Sequence, residues 1–157
     1  MFAMRAAVGA VSGAIGGYIS SGGCWESAAI GAIAGAFAGA IIPNPKATSS
    51  IGSLAAGFTG SAAGQYASSV ANPCGYDNDE EAGPDLADRI RDGWKNVDLG
   101  LAGASGMGAA LPGALLRNVM SPQIRKSPSV MRDFGIGAVE GLGAGVAELG
   151  YNRLTSK

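Results

Sequence analysis

The sequence predicts an all-helical protein, and three observations lead to this prediction. Glycine accounts for 27 of the 157 residues, more than twice its usual share of ~7%. Many of these glycines recur at every fourth position, which places them on one face of a helix. Long stretches without a charged residue are separated by short clusters of turn-forming residues. We therefore expect Gly/Ala-rich helical hairpins that pack through glycine zippers, with one acidic polar linker between them.

The spacing of four residues recurs in four segments of the chain. Its members are Gly9, Gly13 and Gly17; Gly31, Gly35 and Gly39; Gly60 and Gly64, which follow Gly52 and Ala56; and Gly137, Gly141 and Gly145. A glycine within a helix costs about 0.5–1 kcal/mol relative to alanine. Close approach of two helix backbones offsets this cost through dispersion contacts and weak Cα–H···O bonds. A flexible low-complexity chain is the alternative, but regularly spaced large apolar residues between the glycines favour helices.

Turn signals divide the first half of the chain into three predicted helices. The pair Gly22-Gly23 ends the first helix, Pro43-Asn44-Pro45 ends the second, and Asn72-Pro73 ends the third. We therefore place a region of glycine-zipper hairpins at residues 1–76.

The second half of the chain is divided by charge. Residues 77–98 form an acidic linker, within which residues 85–94 have the apolar spacing of a short amphipathic helix. Residues 99–157 form a second apolar helical region with a basic loop, bracketed by Pro122 and Pro128, and a final zipper helix. Pro112 is expected to break or kink the first helix of this region unless it lies in a first turn.

Several classes of function find no support in the sequence. The net charge of −1 argues against a broad basic face for nucleic acid. The chain has no histidine, which removes the commonest general base and the commonest metal ligand. The acidic run at 77–81 lacks the ligand spacing of an EF-hand and is interpreted as a solvated linker. We predict a protein that is not an enzyme and has no catalytic residues, no metal site and no cofactor.

The low proportion of charged residues favours a chain that works in a lipid bilayer. The many Gly and Ala side chains would also bury too little apolar area to drive formation of a water-soluble core strongly. Charged residues make up 15% of the sequence, against about 25% in a typical soluble domain. The uncharged stretches 6–25 and 28–45 reach or approach the ~20 residues that a membrane span needs, although glycine and serine dilute them. Small-residue faces are how helices associate in lipid. A soluble Gly/Ala-packed module is the alternative.

Two acidic residues interrupt the last apolar segment. Glu140 and Glu148 are eight positions apart and therefore lie close to one helical face. They are candidate pore-lining residues that would favour cations. Alternatively, the helix lies along the membrane surface and both carboxylates are in water.

The two cysteines, Cys24 and Cys74, also leave two alternatives open. They either form a disulfide in an oxidising compartment or are two small buried thiols.

The segments AAVGAVSGAIGGYI (6–19) and AIGAIAGAFAG (29–39) carry a family resemblance over about the first third of the chain. They resemble the C-terminal toxin domains of Rhs-type polymorphic toxins, bacterial effectors often delivered by type VI secretion. The greatest similarity is to the subset that depolarises membranes through ion-permeable pores. The Asp-Pro-x-Gly junction that ends an Rhs core is absent from this sequence.

The resemblance implies an antibacterial toxin delivered into a competing bacterium. Such a domain acts at the inner membrane of the target cell, where its pores dissipate the membrane potential. Before release it is held inside the Rhs carrier shell, and a cognate immunity protein neutralises it in the producer. We expect several copies to associate in the bilayer as a homo-oligomer.

Two further functions are kept as alternatives. The first is a glycine-zipper structural envelope protein, although Ser21-Gly22-Gly23-Cys24 is a poor lipobox because the usual leucine is missing. The second is a pre-toxin translocation segment without pore activity of its own.

Overall fold

The computed structural model describes residues 2–42, 50–74, 85–119 and 130–156. These residues form α-helices without strands, so the predicted all-α class is confirmed. The helices are α1 (Phe2–Ser20), α2 (Trp25–Ile41), α3 (Ser50–Ala71), α4 (Leu86–Asp92), α5 (Leu99–Val119) and α6 (Val130–Thr155), with a 3₁₀ turn at Gly93–Asn96.

The first turn lies where the glycine pair predicted it. Gly22 and Gly23 have φ angles of +71° and +104°, which glycine adopts without the strain that a side chain would cause. Cys24 then caps α2, because its sulfur accepts a hydrogen bond from the backbone N–H of Ser27 at 3.4 Å. At the end of α3, Asn72 has a φ of 39°, a common way to terminate a helix.

Three of the predicted features lie outside the described residues. They are the turn at Pro43-Asn44-Pro45, the acidic run at 77–81, and the part of the basic loop that contains Pro122 and Pro128. The predicted amphipathic helix at 85–94 is present as α4 and the following 3₁₀ turn.

Pro112 does not end its helix, which corrects the expectation of a break. Helix α5 continues to Val119 with Pro112 inside it. Proline cannot donate to the carbonyl of Gly108, four residues earlier. That carbonyl faces Gly143 of α6, and a Cβ on Gly143 would also lie 2.5 Å from the Pro112 ring. Because Gly143 has no side chain, α6 can pack closely against the ring of Pro112. The carbonyl of Gly108, which receives no N–H from the proline, then lies beside the Cα–H of Gly143.

Four helices surround a common axis, and a fifth packs on their outside. Around the axis, α1 contacts α3, α3 contacts α5, α5 contacts α6, and α6 contacts α1. Helix α2 lies against both α1 and α3. The order of the contacts along each pair shows that α1, α3 and α6 are parallel, whereas α2 and α5 run in the opposite direction. The two apolar regions of the sequence therefore pack against each other.

Helices α1 and α2 meet backbone to backbone. A Cβ built on Gly13 would clash with the carbonyl oxygen of Gly31 and lie 2.9 Å from Gly35 Cα. Gly9 faces the carbonyl of Gly35 in the same way, and Gly17 lies against Ser27 on α2. At these positions only glycine leaves room for the neighbouring main chain.

Glycines also mark the contacts of α1 with α3 and α6. Gly60 and Gly64 lie against the backbone of Gly9 and Gly13, respectively. On α6, Gly137 faces the carbonyl of Met4. In contrast, Gly141 and Gly145 receive the side chains of Val11 and Ile15, so this part of the α1–α6 contact is side chain against glycine.

We predict opposite stability effects for two glycine-to-alanine substitutions. Gly13→Ala should lower the free energy of unfolding by about 1–3 kcal/mol, as overpacking does, because the methyl group meets backbone on α2 and lies 3.0 Å from Gly60 O on α3. Gly103→Ala on α5 is the control, since no atom lies within 4 Å of the added carbon. The Gly103→Ala substitution should raise the free energy of unfolding by up to about 1 kcal/mol. Denaturant unfolding measures both, and equal effects would contradict the packing described.

Candidate functional site

The outward face of α2 is apolar and its inward face has almost no side chains. Ile33, Phe37 and Ile41 are 62%, 67% and 74% exposed. The residues of α2 that are buried are Ser27, Ala28, Gly31, Gly35 and Gly39. A helix of a water-soluble protein normally buries its large apolar residues, so α2 has the reverse distribution.

Helices α5 and α6 repeat this reversal. On α5 the exposed apolar residues are Met107, Leu111 and Leu115, and on α6 they include Leu142 and Val146. Scattered exposed apolar residues are normal on a protein surface. Here they recur along three helices, and contiguous apolar surface of this kind marks contact with a membrane or a protein.

The interior of the bundle, in contrast, contains many polar side chains. The buried polar and charged residues are Arg5, Ser12, Ser27, Ser53, Ser61, Gln65, Ser68, Ser105, Glu140 and Glu148. We use the term polar axis for the five that connect α3, α5 and α6, namely Ser53, Ser61, Ser105, Glu140 and Glu148. Buried polar groups need hydrogen-bond partners, and the two carboxylates of the polar axis differ in this respect.

Glu140 is fully buried and hydrogen-bonded across the bundle. The hydroxyl of Ser53 on α3 donates to its Oε2 at 2.7 Å. Helices α3 and α6 are diagonal to each other, so this bond crosses the centre of the bundle.

Glu148 is also fully buried, but neither of its carboxylate oxygens has a hydrogen-bond partner of good geometry among the described residues. The hydroxyls of Ser61 and Ser105 are the polar groups beside it. An ionised carboxylate without a partner is costly in such an interior.

Because both carboxylates are buried, the arrangement in which they lie in water along a membrane surface is not present. The candidate pore-lining positions face the interior of the bundle instead.

A layer of apolar side chains separates the two carboxylates. Val8, Ala56, Ala109 and Ala144 are all fully buried and form one cluster. Ala144 lies midway between Glu140 and Glu148 on α6. This layer closes the polar axis between its two acidic levels.

The other buried charge, Arg5, lies at the end of α2. Its guanidinium donates a hydrogen bond to the carbonyl of Ile42, the residue that directly follows α2. A cation at the C-terminus of a helix interacts favourably with the helix dipole. Arg5 therefore ties α1 to the last turn of α2.

The tryptophans and the described tyrosines are confined to one end of the bundle. Tyr18 and Trp25 are 5.1 Å apart between ring centroids, and Tyr66 stacks on Trp94 at 4.5 Å. Tyr151, near the end of α6, lies next to Gly100 at the start of α5. Because α1, α3 and α6 are parallel, all five rings are at the same end. Aromatic residues of this type are enriched where a membrane meets water.

Helix α4 lies at this aromatic end. The hydroxyl of Tyr66 donates to the carbonyl of Ile90 at 3.0 Å, and a Cβ on Gly93 would touch the Tyr66 ring at 2.9 Å. Leu86 and Ile90 are exposed, so these two side chains of the predicted amphipathic helix remain largely in contact with solvent.

Cys24 and Cys74 form a disulfide, which decides between the two alternatives that the sequence left open. The bond connects the start of α2 to the segment after α3. The carboxylate of Glu26 lies 3.3 Å from the sulfur of Cys24 and 3.1 Å from that of Cys74. Disulfide sulfurs carry no proton, so these are contacts without hydrogen bonding. The three side chains have the geometry of a metal-ligand group, but a metal would need free thiolates.

Comparison with protein-family models, curated proteins and solved structures found no significant match to this chain. In the part of the chain that the structure describes, no helix meets the combined length and hydropathy requirement for a membrane-crossing segment.

The structure places every predicted zipper glycine at a contact between helices. It also adds polar residues that sequence reasoning missed, namely Ser53, Ser61, Gln65 and Ser105. A signal for two of them was present: Ser53 and Ser61 have the same separation of eight residues as Glu140 and Glu148. Matching separations on parallel helices place one of these serines beside each glutamate.

We predict that reducing the disulfide will lower stability. The bond joins residues separated by 50 positions, and closing such a loop stabilises by about 4 kcal/mol in the chain-entropy model. Denaturant unfolding of the oxidised chain should therefore have a higher midpoint than unfolding of the Cys24→Ser/Cys74→Ser variant. A reducing agent should lower the unfolding midpoint of the parent chain and leave the midpoint of the variant unchanged. Identical midpoints would show that the bond is absent in solution.

Proposed function

We propose that this chain permeabilises membranes: its helices insert into a lipid bilayer and the polar axis becomes part of a path for ions. The observation that carries this proposal is the reversed distribution of polarity. Carboxylates, hydroxyls and an amide lie inside the bundle, whereas the large apolar side chains of α2, α5 and α6 lie outside. In lipid, the same arrangement satisfies both sets of groups.

Transfer of the outer apolar side chains from water supplies the driving force. A side chain such as leucine, isoleucine or phenylalanine gains about 1.5–3 kcal/mol when it is removed fully from water. Ile33, Phe37 and Ile41 on α2 alone retain more than half of their surface exposed. The polar groups remain inside the bundle during this transfer, so their dehydration does not oppose it.

The aromatic end supports a defined depth of insertion. Tyrosine and tryptophan prefer the boundary between hydrocarbon and water because they combine an apolar ring with a polar group. Trp25 and Trp94 are 76% and 62% exposed and both lie at this end. Helix α4, with exposed Leu86 and Ile90, then lies along the surface of the bilayer as an interfacial helix.

Helix association in this proposal depends on the glycine series. Lipid provides no hydrophobic force between helices, so close packing of small residues must hold them together. The apolar layer at Val8 and Ala144 closes the axis of one copy. Conduction therefore requires this layer to separate, or several copies to enclose a wider path as a homo-oligomer.

The biological role that we propose is that of an antibacterial toxin domain, delivered into a competing cell to dissipate the potential of its inner membrane. This role rests on the resemblance to Rhs-type toxin domains. The same resemblance implies two partners, namely the Rhs carrier shell before release and an immunity protein in the producing cell. A structural envelope protein or a translocation segment without conductance is the second candidate. The closed apolar layer is the observation that favours this candidate.

The test of the proposal is the ionic current across a planar lipid bilayer after addition of the purified chain. Stepwise conductance is expected, and heat-treated protein is the control. A silent bilayer with the protein bound to lipid would favour the second candidate. If there is neither current nor binding of the protein to lipid, the proposal that the chain acts on membranes is wrong.

We predict that replacing Gly31, Gly35 and Gly39 together by leucine will abolish this conductance, because each added side chain meets the backbone of α1. The matched control replaces Gly103, Gly135 and Gly150 by leucine. No atom lies within 4 Å of a Cβ at these positions, and the control adds the same apolar surface. Full conductance of the first variant would show that glycine packing is not needed.

We also predict a shallow position for both tryptophans in the lipid-bound chain. Trp25 and Trp94 should be quenched more by lipids brominated near the headgroup than by lipids brominated near the end of the acyl chain, since both rings lie at the aromatic end. Single-tryptophan variants, Trp25→Phe and Trp94→Phe, separate the two signals. Stronger quenching by the deep label would contradict the proposed depth.

A further inference from the structure

Glu148 combines complete burial with a lack of partners. Its side chain has no exposed surface, and both carboxylate oxygens lack a hydrogen-bond partner among the described residues. Glu140, two helical turns earlier, differs because it accepts a hydrogen bond from Ser53. The two carboxylates are therefore not equivalent, and Glu148 is the one with unfilled capacity for a ligand.

A chain of polar groups connects Glu148 to the surface at the aromatic end. Ser61, beside the carboxylate, accepts a hydrogen bond from the amide of Gln65 at 3.2 Å. The amide oxygen of Gln65 accepts from the backbone N–H of Asp98 at 2.7 Å. Asp98 is exposed, and its carboxylate lies 3.5 Å from the hydroxyl of Tyr151. Polar atoms thus extend from the buried carboxylate to solvent.

The groups around Glu148 carry no compensating charge. The side chains that face it are Ser61 and Ser105, from α3 and α5, and α1 presents Gly16, which lies against the hydroxyl of Ser61. On α6 itself the nearest titratable residues are Tyr151 and Arg153. Arg153 is exposed and forms no ion pair with Glu148, and Asp98 lies at the outer end of the polar chain. Among the described residues, no cation is available to hold the carboxylate in its charged form.

The packing indicates which ligand the site takes. Glu148, Ser61 and Ser105 are all completely buried, so a metal cation would need a new cavity with several oxygen ligands. A proton needs no added space, because it binds to a carboxylate oxygen and creates a donor. The hydroxyl of Ser105 donates to the carbonyl of Gly57 at 3.1 Å, which leaves its lone pairs free to accept from a protonated Glu148.

We propose that Glu148 is a proton-binding site and that the path through the bundle is selective for protons over metal cations. This inference rests on the proposed function and names the ion that the path carries. Water that enters along the polar groups from the side of Asp98 delivers a proton to the Glu148 carboxylate, because the Gln65 amide lines this route but cannot pass on a proton itself. The carboxylate becomes a neutral carboxylic acid that donates to a serine hydroxyl. The same proton leaves toward Glu140 when the apolar layer at Ala144 admits water, and the carboxylate is restored.

The test uses the full chain in phosphatidylethanolamine/phosphatidylglycerol vesicles loaded with a pH-sensitive dye. Proton flux is measured under a potassium gradient with valinomycin, and sodium and potassium fluxes are measured separately. The parent chain should move protons at least about ten times faster than sodium. Glu148→Gln keeps the size of the side chain and removes the titratable group, so it should lower the proton flux at least about tenfold. The matched control is Glu26→Gln, an exposed carboxylate outside the polar axis, which should retain the flux.

A second readout does not depend on transport. Infrared difference spectra recorded between low and high pH should contain the carbonyl band of a buried protonated carboxylic acid in the parent chain. This band should be missing in Glu148→Gln and present in Glu26→Gln, while circular dichroism of all three chains remains helical.

The outcomes separate this inference from the proposed function. A parent chain that conducts sodium as readily as protons, or a Glu148→Gln variant with unchanged proton flux, would overturn the proton site and leave the pore in place. Binding to vesicles without flux of any ion would overturn the pore, and with it the proposed selectivity. Proton flux that depends on Glu148, together with the infrared band, would support both.

Discussion

Direct contact between helix backbones is the constraint on which the rest of this structure depends. Glycines of α1 lie against backbone atoms of both α2 and α3, so α1 is held by two neighbours at main-chain distance. Such contacts leave no space for large side chains between the helices. Large apolar side chains of α2 therefore lie on the outside, and the contacts of α1 with α2 and α3 are made mostly by glycine and serine, with Gln65 as the largest fully buried side chain. The reversed polarity of the molecule follows from this geometry.

The polar axis is the second consequence of close packing. Serines are small enough to lie between glycine-faced helices, and their hydroxyls can bond to main-chain carbonyls, as Ser105 does to Gly57. Glu140 and Glu148 extend from α6 into the same space. In water, an interior with so many polar groups and so few large apolar side chains provides little hydrophobic stabilisation. The proposed insertion into lipid rests on this property, because polar groups in a bilayer must be satisfied within the protein.

Much of the fold could be predicted from local patterns in the sequence. Helix boundaries at Gly22-Gly23 and at Asn72 depend on backbone preferences of single residues, and these act over a few positions. The spacing of the glycines identified the faces at which helices meet, because a period of four has one structural meaning in a helix. The continuation of α5 through Pro112 could not be predicted in this way, since a glycine of α6, far away in sequence, provides the space.

The sequence by itself therefore determined the helical class, several helix boundaries and the glycine faces, since each of these follows from residues that are close neighbours in the chain. Only the tertiary structure decided how those faces pair, that Cys24 reaches Cys74, and that Glu140 bonds to Ser53 whereas Glu148 is left beside two serines. The physical reason is register. A contact between two helices depends on their direction and on their relative shift along the axis, and both are set by all the contacts of the bundle together.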